Sequence, residues 1–110
     1  MSEVSRLENQ LESNKELVRQ RNLATKLVTN PDFKELIVDG FCMKDCARFA
    51  QESADPALTH EQRADALGMA QASGHLRRYL SMIVVMGNTA DNQTSDLEVA
   101  IIEARQEEGE

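Results

Sequence analysis

The stretch from Thr59 to Gly87 constrains the fold most, because it is a long helical pattern with a start signal and a stop signal. Thr59 and Gln62 form a capping box. The threonine hydroxyl can accept from the Gln62 N–H, and the glutamine side chain can reach back to the Thr59 N–H. Glu61 places negative charge in the first turn, where the helix dipole favours it. Gly87-Asn88 is a natural C-terminal stop. Within the stretch, Ala66, Ala70 and Gly74 recur every four residues on one face, small enough for a second helix backbone to come close. Gly68 and Gly74 each cost about 1 kcal/mol relative to alanine, so a kink or break is expected near Gly74. The second half carries Leu76, Leu80, Ile83 and Val84 as one stripe, and Met82–Met86 is apolar throughout. Protein is therefore expected to surround that end.

The remaining elements follow from punctuation. Residues 3–28 read as a first helix, with Val4, Leu7, Leu11 and Val18 at the a and d positions of a heptad interrupted by Asn14 and Arg21. That narrow seam suits either packing within the chain or a coiled-coil contact between copies. Asn30 before Pro31 marks a boundary and a cap. A short helix to about Asp39 with Phe33, Leu36 and Ile37 on one side is expected to stop at Gly40. Another, Phe41–Ser53, carries Cys42, Cys46, Phe49 and Ala50 on one face and ends before Ala54-Asp55-Pro56. Residues 88–94 read as a loop. Ser95 and Glu98 offer a second capping box for a short last helix bearing Leu97, Ala100, Ile101 and Ala104, with Ile102 near the same face, fraying after Arg105 into a disordered acidic end.

The expected architecture is thus all-α: a small helical bundle with a long N-terminal helix, two short helices, a long central helix and a short C-terminal helix. Residues 1–87 would form a single helical domain, and residues 88–110 an acidic loop, helix and tail. At 110 residues the chain can bury about 65% of its unfolded surface. With only Phe33, Phe41, Phe49 and Tyr79 aromatic, its core must be aliphatic.

Charge narrows the function classes. The net charge of −7 is concentrated at the C-terminal end: residues 91–110 hold seven carboxylates against Arg105, and residues 1–90 are nearly balanced. A basic surface for nucleic acid is missing. No window is apolar enough to span a bilayer, and the first residues lack the apolar core of a signal peptide. With only two cysteines, this points to a reducing cytoplasm.

No constellation in the sequence carries catalysis, a cofactor or a metal. Cys42 and Cys46 share a helix face and read as small buried residues. A metal would need two more ligands, and His60 and His75 have no ligand-like spacing from them. His75 has no partner that would make it a general base. Arg77 and Arg78 are expected to bond to carboxylates of a neighbouring element or of the acidic tail. The chain is therefore expected not to be an enzyme, with no catalytic residue, no cofactor, no metal and no small-molecule substrate.

The segments Arg21–Leu27 (RNLATKL), Asn30–Phe41 (NPDFKELIVDGF), Ala54–Leu58 (ADPAL) and Gly74–Leu80 (GHLRRYL) resemble a family of small acidic helical proteins of tailed bacteriophages. The similarity covers roughly residues 5–84, and its motifs are structural punctuation. What the resemblance implies is a phage protein associated with virion structure genes, a minor virion or head-assembly component found in the virion or the host cytoplasm. Such a component would act as a homo-oligomer or on a larger virion protein, through helix contacts at Val4, Leu7, Leu11, Val18, Leu80, Ile83 and Val84. The alternative is an acidic inhibitor of a host enzyme that mimics nucleic-acid charge with residues 91–110.

Overall fold

The computed structural model describes residues 2–109, and among these the chain is helical, with no strand. Helix α1 runs Glu3–Thr29. After Asn30 the chain re-enters helix as α2, Pro31–Phe33, continues as a π-helical segment, Lys34–Asp45, and ends as α3, Cys46–Glu52. Helix α4 runs His60–Gly109.

Two of the three boundaries that the sequence marks with side-chain caps, Asn30 and Thr59, are where it places them, and the third, Ser95, is not. Asn30 is extended (φ −65°, ψ 125°) and its Oδ1 accepts from the Asp32 and Phe33 N–H groups at 3.0 and 3.1 Å. Pro31 follows at the first helical position, where its missing N–H costs nothing. Both bonds of the Thr59 box are present: Gln62 N–H donates to Thr59 Oγ1 at 3.1 Å, and Thr59 N–H donates to Gln62 Oε1 at 3.0 Å. In the turn before it, Asp55 Oδ1 accepts from the Ala57 N–H at 2.9 Å.

The boundaries marked only by glycine are absent. Gly40 lies inside the π-helical segment, and α4 passes through Gly74 and through Gly87-Asn88 without interruption. Residues 88–94 are helix rather than loop, Ser95 is a helix-interior residue, and Leu97–Ala104 belong to α4 rather than to a separate short helix. The end beyond Arg105 is helical through Gly109, while Glu110 lies outside the described residues. A glycine stop needs a left-handed residue, and no glycine here has positive φ. At Gly40 an added Cβ would sit 3.0 Å from the Glu35 carbonyl oxygen, five residues back, so the glycine admits the wide i→i+5 turn. That turn rotates Leu36 out to 72% exposure, while Phe33 and Ile37 stay half-buried.

Contacts divide the chain into two compact units. In Thr25–Met82, the stretch Pro31–Glu52 lies antiparallel to the first part of α4. Cys42 Sγ donates to the Ser73 carbonyl and Cys46 Sγ to the Ala70 carbonyl, both at 3.8 Å. Ala66 and Ser73 are buried and Ala70 half-buried. The close-packing face is therefore Ala66, Ala70 and Ser73. Gly74, expected on it, is exposed with nothing within 4 Å of an added Cβ.

The other unit joins the chain up to Ala24 to the chain from Ile83 onward. Here α1 and α4 are antiparallel: Val4 N–H meets Glu108, Arg105 meets Glu8, Asn14 meets Ala90 and Gln93, and Arg21 meets Asn88 and Asp91. Its apolar core is Leu7, Leu97, Ile101 and Ala104, with Val4, Leu11 and Ala100 against it. Each large side chain so buried stabilises by about 1.5–3 kcal/mol.

Candidate functional site

In the unit built from α1 and the end of α4, the segment that reads as a polar loop is a layer between two helices. Asn14, 7% exposed, donates from Nδ2 to the Ala90 carbonyl at 3.4 Å and to Gln93 Oε1 at 3.3 Å. Arg21 Nη1 donates to Asn88 Oδ1 at 3.2 Å and to Asp91 Oδ2 at 2.9 Å. Thr94 turns its hydroxyl back onto the Ala90 carbonyl at 3.1 Å. Asn88, Asp91, Gln93 and Thr94, four of the polar residues that suggested a turn, thus have partners in a helix. A buried Asn at a seam position favours one register over others, because any slip leaves its amide unpaired.

Gly87 sits at a close approach of the two helices. A Cβ built on it would overlap Arg21 Cβ and lie 2.9 Å from both Arg21 Cγ and the Leu17 carbonyl oxygen. The stem of Arg21 covers the glycine and leaves the side chain 19% exposed, while its guanidinium reaches out to Asp91.

Towards the chain ends, one side of the paired α1 and α4 carries an open groove of about 690 Å³. Leu11, Ile101 and Ile102 line it, flanked by Glu8, Glu12, Glu98 and Arg105. Ile102 is 55% exposed although Ile101 beside it is 5% exposed. The carboxylate surplus collects in this unit, which holds eleven acidic against five basic residues. All five bases are already engaged. Arg6 pairs with Glu3, Lys15 with Glu12 at 3.6 Å, and Arg19 with Glu16. Arg21 pairs with Asp91 and Arg105 with Glu8. Hydrogen bonds from Arg6 and Arg19 hold Glu3 and Glu16 below the usual carboxylate range. Among the described residues, Asp96, Glu98, Glu103 and Glu107 have no cation within 4.0 Å.

The contact residues expected from the sequence are distributed as follows. Leu7 is buried with Val4 and Leu11 beside it, all three against Leu97, Ile101 and Ala104. Val18 is half-buried, as are Leu80 in the Thr25–Met82 unit and Ile83 and Val84 in the other. Met82, Val85 and Met86 are 48%, 60% and 46% exposed, so this chain does not itself surround the Met82–Met86 end. The sequence marks Glu98 only as half of a capping box and Ile102 only as lying near the Leu97–Ala104 face, and names neither them nor Glu12 as contact residues; Ile102 is instead 55% exposed. The heptad phase shared by Ile83, Ala90, Leu97 and Ala104 marks the seam but not the groove, since Ile102 lies about 140–160° round the helix from Leu97 and Ala104.

The remaining reactive side chains are not gathered into a site. Among the described residues no three His, Cys, Asp or Glu side chains are arranged to hold a metal ion. His60 and His75 are exposed. Arg77 donates to Met43 Sδ at 3.7 Å. Contrary to expectation, neither Arg77 nor Arg78 has a carboxylate within 4.0 Å among the described residues. The cysteines are free. Burial pushes the Cys42 thiol up, against the opposing pull of the Arg77 charge. Cys42, 5% exposed, should therefore resist alkylation until its unit opens. Mass spectrometry after maleimide treatment across a urea series should show it modified only through the unfolding transition, and rapid modification of the native chain would contradict this packing.

No family model, curated protein or solved structure matches the chain. Among the described residues no helix is long and apolar enough to cross a membrane.

Proposed function

We propose that this chain is a non-enzymatic assembly component that works by laying its helices against another protein chain. The observation that carries the reading is an imbalance of apolar surface. Twelve large hydrophobic side chains are more than one-third exposed among the described residues, including Leu36, Tyr79, Val85, Val99 and Ile102. Only eight hydrophobic residues are buried, and four of those are alanines. Contiguous exposed apolar surface marks a contact site, and Val99 and Ile102, three residues apart on α4 and each 55% exposed, are neighbours on one helix face. The family resemblance supplies the setting: a tailed-phage virion or head-assembly intermediate, with a second copy or a larger virion protein as the partner.

Light scattering on the purified chain, with mass spectrometry of particles and assembly intermediates, tests this. The expected result is a stable oligomer, or presence of the chain in particles or intermediates. A strict monomer absent from both overturns it. The competing reading, an acidic inhibitor that mimics nucleic acid, draws on the unpaired carboxylates of α4. Deleting residues 91–110 cannot separate the two, because it also removes Leu97, Ile101 and Ala104 from the core. Replacing Glu103 and Glu107, both exposed, with glutamine is the cleaner comparison. It should abolish inhibition on the competing reading and leave assembly intact on this one.

A further inference from the structure

We infer that the groove lined by Leu11, Ile101 and Ile102 is the seat of a basic amphipathic helix from a partner chain. The inference rests on the assembly reading and specifies the chemistry of the partner. Two antiparallel helices with an apolar furrow along one side present the surface on which a third helix packs, reading it with residues at i, i+3, i+4 and i+7. Ile102, a lining residue, is more than half exposed, and the groove volume of about 690 Å³ leaves room for a row of Leu or Ile side chains.

The walls decide between occupants. Glu98 stands on the α4 side without a cation among the described residues, and Glu12 on the α1 side has only Lys15, at 3.6 Å. All five bases of this unit are already paired, so the unit meets an incoming helix with a net charge of −6. A second copy would bring the same surplus against it and be repelled. A helix with Lys or Arg on both flanks of an apolar stripe supplies the missing cations to Glu98 and Glu12 while covering Ile102. Complementarity of this kind speeds encounter and fixes orientation.

The test uses the full chain and a fluorescent designed peptide with leucine at the a and d positions and Lys or Arg at the flanking positions. The control peptide has the same apolar stripe with glutamate flanks. Anisotropy should show the basic peptide binding, weakening as salt rises, and the acidic peptide not binding. Ile102→Asp should abolish binding, and Glu12→Lys with Glu98→Lys should weaken it at least tenfold. Circular dichroism should show the fold unchanged in each variant. Equal binding of both peptides, no binding of the basic one, or indifference to these substitutions overturns the proposal. So does a wild-type oligomer that Ile102→Asp dissolves, since a second copy would then occupy the groove. If only the peptide fails while the chain still enters larger particles, the partner chemistry is wrong and the assembly reading stands.

Discussion

Replacing Gly87 with alanine should destabilise the chain by about 2 kcal/mol or more, although the same change elsewhere in α4 should stabilise it. Alanine is the better helix former by about 1 kcal/mol, and at Gly68 and Gly74 nothing lies within 4 Å of an added Cβ. Gly68→Ala and Gly74→Ala should therefore each gain about 0.5–1 kcal/mol. At Gly87 the new methyl meets Arg21 Cβ and the Leu17 carbonyl oxygen, neither of which is the free end of a flexible side chain. Carbon atoms settle about 3.5–4.0 Å apart, so α1 must move away from α4. That movement would loosen the Asn14 and Arg21 contacts as well as the overlap itself, and overpacking alone costs about 1–3 kcal/mol. Truncating Arg21 to alanine should not rescue the variant, because Cβ itself is the obstacle. Urea unfolding followed by circular dichroism checks all four changes. A Gly87→Ala chain as stable as the Gly68→Ala chain would contradict the close approach.

The same glycine shows what could and could not be read from the sequence. Side-chain caps are local: the Asn30 amide and the Thr59–Gln62 pair complete their bonds within three residues, so sequence alone located them, whereas the Ser95–Glu98 pair has the same spacing and lies inside a continuous helix. The start of α1 and the shared face of Cys42 and Cys46 were legible for similar reasons. Glycine is ambiguous. It serves a left-handed stop or a close approach, and only the neighbour in space decides which. Gly40 accommodates a wide turn and Gly87 accommodates Arg21, and both had read as stops. The polar run 88–94 misled in the same way, since Asn88, Asp91 and Gln93 find their partners in Arg21 and Asn14, more than sixty residues earlier. One heptad phase connects Ala66, Ser73, Leu80, Gly87, Thr94 and Ile101 along α4. Four of those six are small or polar, so hydrophobic periodicity could not reveal it. The Leu7 end of the seam was legible because its a and d residues are large. The groove beside it was not, because it exists only once α1 and α4 are paired.

That pairing makes adjacent isoleucines differ sharply. Ile101→Ala should cost about 2–4 kcal/mol, because the side chain is 5% exposed in a cluster with Leu7, Leu97 and Ala104, and a residual cavity adds to the lost transfer energy. Ile102→Ala should change stability by about 0.5 kcal/mol or less, as surface substitutions generally do, since more than half of that side chain is already in water. Hydrogen exchange resolves the location of the effect: Ile101→Ala should raise exchange along α1 up to Ala24 and along α4 beyond Ile83, and Ile102→Ala should leave both protected. The two substitutions divide the labour of one helix turn, with residue 101 holding α1 against α4 and residue 102 offered to whatever docks beside them. Equal costs at both positions would mean that α4 presents a different face to α1, and the groove assignment would fall with it.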